Sequence, residues 1–298
     1  MKAGIKKDNW IYKLSEIYRK NRFLIMFMPA LILVSFFFFV PILSLLRISF
    51  FKYTGMGMFE PGFTLENYIK FLTDPFYLQV IWYTIKIAFS VTMICIVVGY
   101  PVAYYISCMT GKWKIFLLLL IIIPLWTNLI VRIYGWFVIL GRQGLLNSIL
   151  IKLNLIDEPI SLVFTTGSVV IGLLDNVFPW ILLIMISVLE GIEWDIIEAA
   201  RDLGASRIKS FYEITFKLSL PGIAVAGLFA FVWSVGEYAV PSLLGASSNR
   251  TISIEIADQM LNLLNWPFGA SMAFVLFAIS VSVLLINNWL TSRSNIGH

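Results

Sequence analysis

The chain has 298 residues, of which 59% are hydrophobic and only 13% are charged. Soluble domains carry about 25% charged residues, so this composition excludes a soluble globular protein and indicates an integral membrane protein. The length allows about six membrane spans of roughly 20 residues with their loops, and no large soluble domain besides. The net charge of +5 does not indicate nucleic-acid binding, because the basic residues concentrate near the N-terminus beside an apolar segment. We expect membrane lipid around the chain and no nucleic-acid partner.

Few residues are suited to catalysis or metal binding. The single histidine, His298, is the last residue, which excludes a site built on histidine. Cys95 and Cys108 lie in or near an apolar segment, where cysteines usually serve as small packing residues. The fragment Gly111-Lys112-Trp113 lacks the leading glycine and the hydroxyl residue of a phosphate-binding loop. We expect a chain that is not an enzyme, holds no cofactor or metal, and does not itself hydrolyse ATP.

Apolar segments of membrane-spanning length recur along the chain. The predicted spans are residues 23–46, 80–106, 115–140, 162–189, 218–240 and 270–290. Residues 1–22 precede the first span and carry seven basic residues against two acidic ones. A cleaved signal peptide is the competing interpretation, but the first apolar segment is too long and lacks a small-residue cleavage site. The sequence predicts an all-α protein with a basic cytoplasmic segment, 1–22, and one transmembrane domain, 23–298.

The distribution of basic residues predicts the orientation of the spans. With the N-terminus in the cytoplasm, the later basic residues on that side are Lys112, Lys114, Arg201, Arg207, Lys209, Lys217 and Arg293. The loops on the opposite side keep only Lys52, Lys70, Arg142, Lys152 and Arg250. Because cytoplasmic loops are enriched in Lys and Arg, this orientation is favoured. It places both termini and the loop of about 190–217 in the cytoplasm.

The cytoplasmic loop of about 190–217 has the pattern of two short amphipathic helices. Apolar residues recur at helical spacing on either side of Gly204, at Ile196, Ile197, Ala200 and Leu203, then at Ile208, Phe211 and Ile214. Asp195 could cap the first helix with Glu198 as its capping-box partner, and Ser206 could cap the second. Gly204 can supply the positive φ of a helix C-terminus. The alternative is an ordinary loop between two spans.

Arg132, Asp175 and Glu237 are ionisable residues inside predicted spans. Each costs about 2.5 to 3.5 kcal/mol to bury on insertion scales, so each needs a partner, water or a ligand. Arg132 could pair with Asp175 or extend to the outer interface. If they pair, Glu237 remains an unbalanced carboxylate beside Tyr238, which could hold an amine through charge and cation–π contact. It could equally bind a backbone donor at a broken helix.

The cytoplasmic loop resembles a known motif. Glu198-Ala199-Ala200, then Gly204, then Leu220-Pro221 in the next apolar segment, is similar to the EAA loop of the membrane subunits of ABC-type importers. The resemblance implies that the first loop helix is a coupling helix, which sits in a groove of a separate ATPase subunit. The residues assigned to this coupling loop are Glu198, Ala199, Ala200, Asp202, Leu203, Gly204, Ala205 and Ser206.

Further segments resemble the permeases of polyamine (spermidine and putrescine) importers, most closely the first of their two permeases. These segments are Pro124 to Trp136 with the following Gly144 to Asn147, Gly236 to Gly245, and Phe63 to Tyr68. The substrate-pathway residues implied are Trp126, Asn128, Arg132, Tyr134, Asp175, Glu237 and Tyr238. The chain departs from the pattern at Asp175, Ser242 and Ala246, so ferric iron, an opine or an aminophosphonate remains an alternative substrate. A passive channel and a membrane-embedded enzyme or assembly factor are the alternatives from other classes.

The resemblance also implies an assembly and a place in the cell. The fold would be the six-span type I importer permease, in the inner membrane of a bacterial cell. Its partners would be a second, homologous permease, two ATPase subunits that hold ATP and Mg, and a substrate-binding protein outside the membrane. Alternating access driven by ATP would then carry the substrate between the two permeases.

Overall fold

The chain is almost entirely helical in a computed structural model that describes residues 22–55 and 57–295. In chain order the elements are α1 (Arg22–Ser49), β1 (Lys52–Gly55), β2 (Met58–Glu60), α2 (Glu66–Thr73), α3 (Pro75–Ser107), α4 (Lys112–Trp126), α5 (Leu129–Leu140), α6 (Leu145–Lys152), α7 (Thr166–Glu190), α8 (Trp194–Asp202), α9 (Arg207–Ser210), a π-helical turn (Phe211–Thr215), α10 (Phe216–Gly236), α11 (Ala239–Leu244), α12 (Ile252–Ala257), a second π-helical turn (Asp258–Asn262) and α13 (Trp266–Asn295). The all-α prediction is confirmed, with the addition of an antiparallel hairpin between β1 and β2 that the apolar pattern did not predict. The predicted basic segment 1–22 lies outside the described residues, apart from Arg22, and so does His298.

Six helical stretches in the described part of the chain are long and apolar enough to cross a membrane. They are Phe27–Ser49, Pro75–Ser107, Leu129–Lys152, Thr166–Glu190, Arg207–Gly236 and Trp266–Trp289. The first of them has no buried residue in its most apolar window and packs mainly along α13, so most of its surface suits hydrocarbon. The number of spans agrees with the sequence analysis, but two of the predicted spans, the third and the fifth, are interrupted.

The predicted third span, 115–140, is not one continuous helix. Helix α4 ends at Trp126 and α5 begins at Leu129, because Thr127 has an extended backbone and Asn128 caps the new helix by accepting a hydrogen bond from Ile130 N at 2.8 Å. Helix α4 has only 15 residues, about 22 Å, which is short for a bilayer crossing. The long apolar stretch is instead formed by α5 and α6 together.

The predicted fifth span, 218–240, is also interrupted. Helix α10 ends at Gly236, and Glu237 has an extended backbone with φ −69° and ψ 128°. Its carboxylate accepts a hydrogen bond from Ala239 N at 3.0 Å, which starts α11 in place of a longer α10. On the other side α10 continues into the π-helical turn and α9, so this span begins at Arg207.

The centre of the bundle is formed by α3, α7 and α10, which pack against one another more extensively than any other helices. Their buried positions combine branched residues with small ones such as Ala88, Ala226 and Ala230. Small residues at helix contacts let backbones approach closely, which is the main source of packing energy between membrane helices. Gly172 of α7 is one such close contact, since a Cβ there would lie 2.7 Å from Val240 Cγ1 and from Leu244 Cδ1 of α11.

We expect Gly172→Ala to destabilise the protein by about 1 to 3 kcal/mol, because the added methyl group overpacks the contact between α7 and α11. Gly135→Ala is the matched control, since a Cβ at this helical glycine meets no atom within 4 Å. Thermal unfolding of the purified proteins in detergent gives the melting temperature of each variant. Equal melting temperatures for the two variants would contradict the close packing of α7 on α11.

Candidate functional site

The predicted coupling loop forms an exposed helix at the C-terminal end of α7. Helix α8 covers Trp194–Asp202, and Gly204 ends it with φ +91°, as predicted. Leu203 is 91% exposed although it is apolar, so its side chain packs on nothing in the described chain. Exposed positions of the predicted set are Glu198, Ala199, Asp202, Leu203, Gly204 and Ser206, while Ala200 and Ala205 are half-buried. Most of this segment is thus exposed.

Two details of the loop differ from the sequence prediction. Asp195 is not the N-cap of α8, which is Glu193 without a side-chain capping bond, so the predicted capping box is wrong. Ser206 does cap the next helix, since its Oγ accepts a hydrogen bond from Lys209 N at 3.2 Å. That helix is not a separate short unit, because α9 runs through the π-helical turn into α10. The loop is therefore attached directly to a membrane span.

Arg132 and Asp175 form an ion pair between α5 and α7. Arg132 Nη1 lies 3.2 Å from Asp175 Oδ2 and also donates to the backbone carbonyl of Asp175 at 3.1 Å. The two side chains are 14% and 24% exposed, so the pair is largely withdrawn from the surface. Of the two roles considered for Arg132, the structure shows the ion pair.

A buried amide links this ion pair to Glu237. Arg132 Nη2 donates to Asn176 Oδ1 at 3.2 Å, and Asn176 Nδ2 donates to Glu237 Oε2 at 3.1 Å. The other carboxylate oxygen, Oε1, accepts from Ala239 N. Within the described residues Glu237 therefore has two neutral hydrogen-bond donors and no ion pair. We call the four side chains Arg132, Asp175, Asn176 and Glu237 the polar cluster.

The other predicted pathway residues lie outside the polar cluster. Trp126 is 88% exposed beside the break after α4, and the Asn128 side chain is engaged in capping α5. Tyr134 and Tyr238 are exposed, and Tyr238 is the chain neighbour of Glu237. The structure therefore brings together Arg132, Asp175 and Glu237. The other four predicted pathway residues, Trp126, Asn128, Tyr134 and Tyr238, lie outside the polar cluster.

Sequence reasoning missed two residues here. Asn176 is buried at the centre of the polar cluster, and its position directly after Asp175 in a span was the available signal. Lys86 lies inside the second predicted span and was overlooked, although a lysine there has the same cost of burial as the other charges. In the structure Lys86 is exposed and borders a cavity of about 170 Å³ with Arg250.

A second cavity, of about 360 Å³, lies beside Asp175 and is mostly apolar. Its lining residues are Ile94, Val98, Pro124, Trp136, Ile171, Leu174, Asp175, Phe178 and Pro179. Among the residues that the structure describes, no three His, Cys, Asp or Glu side chains are grouped so that they could hold a metal ion. The chemistry available at the polar cluster is therefore hydrogen bonding and charge.

A separate charged cluster lies between the last two spans. Arg250 Nε is 2.9 Å from Glu255 Oε1, and Arg250 Nη1 is 3.2 Å from Asp258 Oδ2. Burial raises the pKa of Glu255, with Asp258 adding to the rise and Arg250 opposing it. The pKa of Asp258 is lowered, chiefly because Asn262 donates a hydrogen bond to its carboxylate. Among the described residues, Arg250 thus anchors this loop through two acids and bonds to none of the four side chains of the polar cluster.

The comparison with known families decides the class of the protein. The family described as binding-protein-dependent transport system inner membrane component matches residues 14–295. The chain belongs to this family. The resemblance to membrane subunits of importers is thereby confirmed, and the six apolar stretches agree with a multi-pass inner-membrane component.

Individual family members give a narrower comparison. The chain is 36% identical over 257 residues to the spermidine/putrescine transport system permease protein PotB of Escherichia coli (strain K12), covering 86% of this chain and 93% of the relative. It is 34% identical over 261 residues to the protein of the same name from Haemophilus influenzae (strain ATCC 51907 / DSM 11121 / KW20 / Rd), covering 87% and 91%. A bacterial ABC transporter that imports the acidic polysaccharide alginate has the same fold, with TM-score 0.76, 15% identity, and coverage of 94% of this chain and 99% of that one.

Removing Arg132 tests the polar cluster of this family member. Arg132→Gln leaves Asp175 without its counter-charge, and we expect a loss of about 3 kcal/mol, at the lower end for a broken buried pair because Asp175 is partly exposed. The double variant Arg132→Gln, Asp175→Asn removes both charges and should recover at least half of that loss. Chemical unfolding in detergent measures the free energy of unfolding of the wild type, the single variant and the double variant. Additive losses in the double variant would show that the two charges do not interact.

Proposed function

We propose that the chain is a permease subunit of an ATP-driven importer and forms half of the transmembrane pathway for a polyamine. The relatives named for spermidine and putrescine cover most of the chain, which supports the substrate class. The single observation that carries the proposal is Glu237, a carboxylate inside the predicted fifth span that contacts no cation in the described chain.

The charge balance of the polar cluster supports a cationic substrate. Arg132 contributes one positive charge, and Asp175 and Glu237 contribute two negative charges when ionised, so the cluster has a net charge of −1. An uncompensated charge at this depth is unfavourable by about 2.5 to 3.5 kcal/mol on insertion scales. A passing ammonium group would compensate it, whereas an anionic substrate would add to the imbalance.

The break after α10 adds to the attraction for a cation. The last carbonyl groups of α10 carry the partial negative charge of a helix C-terminus, and this end lies next to the Glu237 carboxylate. Broken helices in membrane transporters place such C-terminal ends at their cation sites. Tyr238, the next residue, is 48% exposed, so its aromatic ring is accessible to an ammonium group.

The exposed loop around α8 would connect this site to ATP hydrolysis. In the proposed assembly α8 and Gly204 dock on a separate ATPase subunit that holds ATP and Mg, so this loop lies in the cytoplasm. With six spans in the chain, both termini then lie on the same side as the loop. A second permease completes the pathway, and a substrate-binding protein delivers the polyamine from outside. Because α9 is continuous with α10, movement of the docked loop would be transmitted to the helix end at Glu237.

We expect Glu237→Gln to reduce polyamine-stimulated ATPase activity by about tenfold to a hundredfold, the range for losing hydrogen bonds to a charged group. The assay uses the reconstituted importer with its binding protein, and a panel of spermidine, putrescine, ferric iron and an aminophosphonate. Glu158→Gln, at an exposed loop residue, is the matched control. Stimulation of the wild type only by iron or the aminophosphonate would keep the importer and refute the polyamine assignment.

We expect Leu203→Asp to abolish coupling without loss of stability, because this exposed side chain packs on nothing in the described part of the chain and is open to contact with a partner. Uptake should fall at least tenfold while the melting temperature stays unchanged, since surface substitutions are usually within about 0.5 kcal/mol. Leu155→Asp, also exposed but beyond the opposite end of α7, is the control. Normal uptake by Leu203→Asp would argue strongly against docking through α8.

A further inference from the structure

An exposed pair of tryptophans lies on the seam between α7 and α10, one helical turn from the polar cluster. Trp180 follows Asn176 by four residues within α7, so its indole neighbours the amide that donates to Glu237, and Trp233 lies in the last turn of α10 before Glu237. The ring centroids of the two indoles are 6.4 Å apart with planes at 29°. Phe229 extends the group one turn further, with its ring 5.4 Å from Trp233.

Both indoles are partly exposed. Trp180 is 40% exposed and Trp233 is 37% exposed, which is unusual for large rings that contact each other. Tryptophan in membrane proteins is enriched at the two interfaces. Trp180 instead lies 14 residues, about 21 Å, from the start of α7 and ten residues, about 15 Å, from its end. An interfacial anchoring role therefore does not account for this pair.

The spacing of the pair from Glu237 fits the chemistry of a linear polyamine. Four residues of α7, a rise of about 6 Å, separate Trp180 from Asn176, whose amide donates to the Glu237 carboxylate. Neighbouring nitrogen atoms of an aliphatic polyamine are joined by three or four methylene groups, which span about 5 to 6 Å when extended. An ammonium group within about 6 Å of an indole centroid is attracted by the ring, and methylene groups pack on its face.

We propose that Trp180 and Trp233 form a second subsite, which holds the next ammonium group and the methylene chain of a linear di- or polyamine whose first ammonium group is at Glu237. This assignment rests on the proposed function. Glu237 selects positive charge, and the tryptophan pair selects a second charge at a fixed distance. A monoamine of similar size would occupy only one of the two subsites and would be transported poorly.

The test replaces each tryptophan by an apolar residue that has no aromatic ring. Maximal uptake rates of spermidine and of the three-, four- and five-carbon linear diamines are measured with the reconstituted importer at saturating substrate and binding protein, where the affinity of the binding protein no longer limits the rate. We expect Trp180→Leu and Trp233→Leu to lower the rates about tenfold and to bring the rates of the three diamines closer together, because the ring interaction is lost. Trp180→Phe keeps an aromatic face and should retain the diamine preference. Trp82→Leu, at an exposed tryptophan of α3, is the matched control.

The outcomes separate this subsite from the proposed function. If the wild type transports no amine, the proposed function fails and the subsite fails with it. If the wild type transports polyamines and both leucine variants keep its rates and its diamine preference, the subsite alone is overturned. Equal losses in the leucine and phenylalanine variants, together with a lower yield of assembled importer, would also overturn it and assign the pair to contact with lipid or the second permease.

Discussion

An arginine inside a membrane must have its charge compensated within the protein, and the arrangement around Arg132 follows from that requirement. Its guanidinium pairs with the Asp175 carboxylate and donates a hydrogen bond to the amide oxygen of Asn176. Because a guanidinium has only N–H donors, the groups that it contacts must be acceptors. The opposite end of that amide then has only N–H donors to offer to Glu237. One side chain of α5 thus determines which groups of α7 face the end of α10.

The interruptions of the spans belong to the same arrangement. Asn128 restarts a helix four residues before Arg132, and the Glu237 carboxylate restarts one at Ala239. In hydrocarbon, backbone groups freed at such breaks must be satisfied within the protein, and here polar side chains do this. The close packing of α3, α7 and α10 supplies the rigid frame, while the polar contacts set the points at which the helices begin and end.

The sequence predicted the class of fold and the charged members of the site because length and hydropathy dominate a membrane chain. It did not predict the break at Asn128 and gave a broken helix at Glu237 only as one of two alternatives, since an apolar run looks the same whether its helix is continuous or restarts at a capping side chain. Asp195 and Ser206 show the same limit, because both fit a capping pattern and only Ser206 makes the bond. Asn176 required knowledge of which face of α7 meets α5 and α10, and this depends on tertiary packing.

The π-helical turn at Phe211–Thr215 joins the exposed loop to α10 without ending the helix. A π turn holds one residue more than an α turn, and each residue of an α-helix advances about 100° around the axis. Deleting a single residue in this turn would therefore rotate α8 and Leu203 by roughly a quarter to a third of a revolution about the axis of α10. The direction in which the exposed loop faces is consequently set by the number of residues in the turn, independently of the packing of the membrane helices.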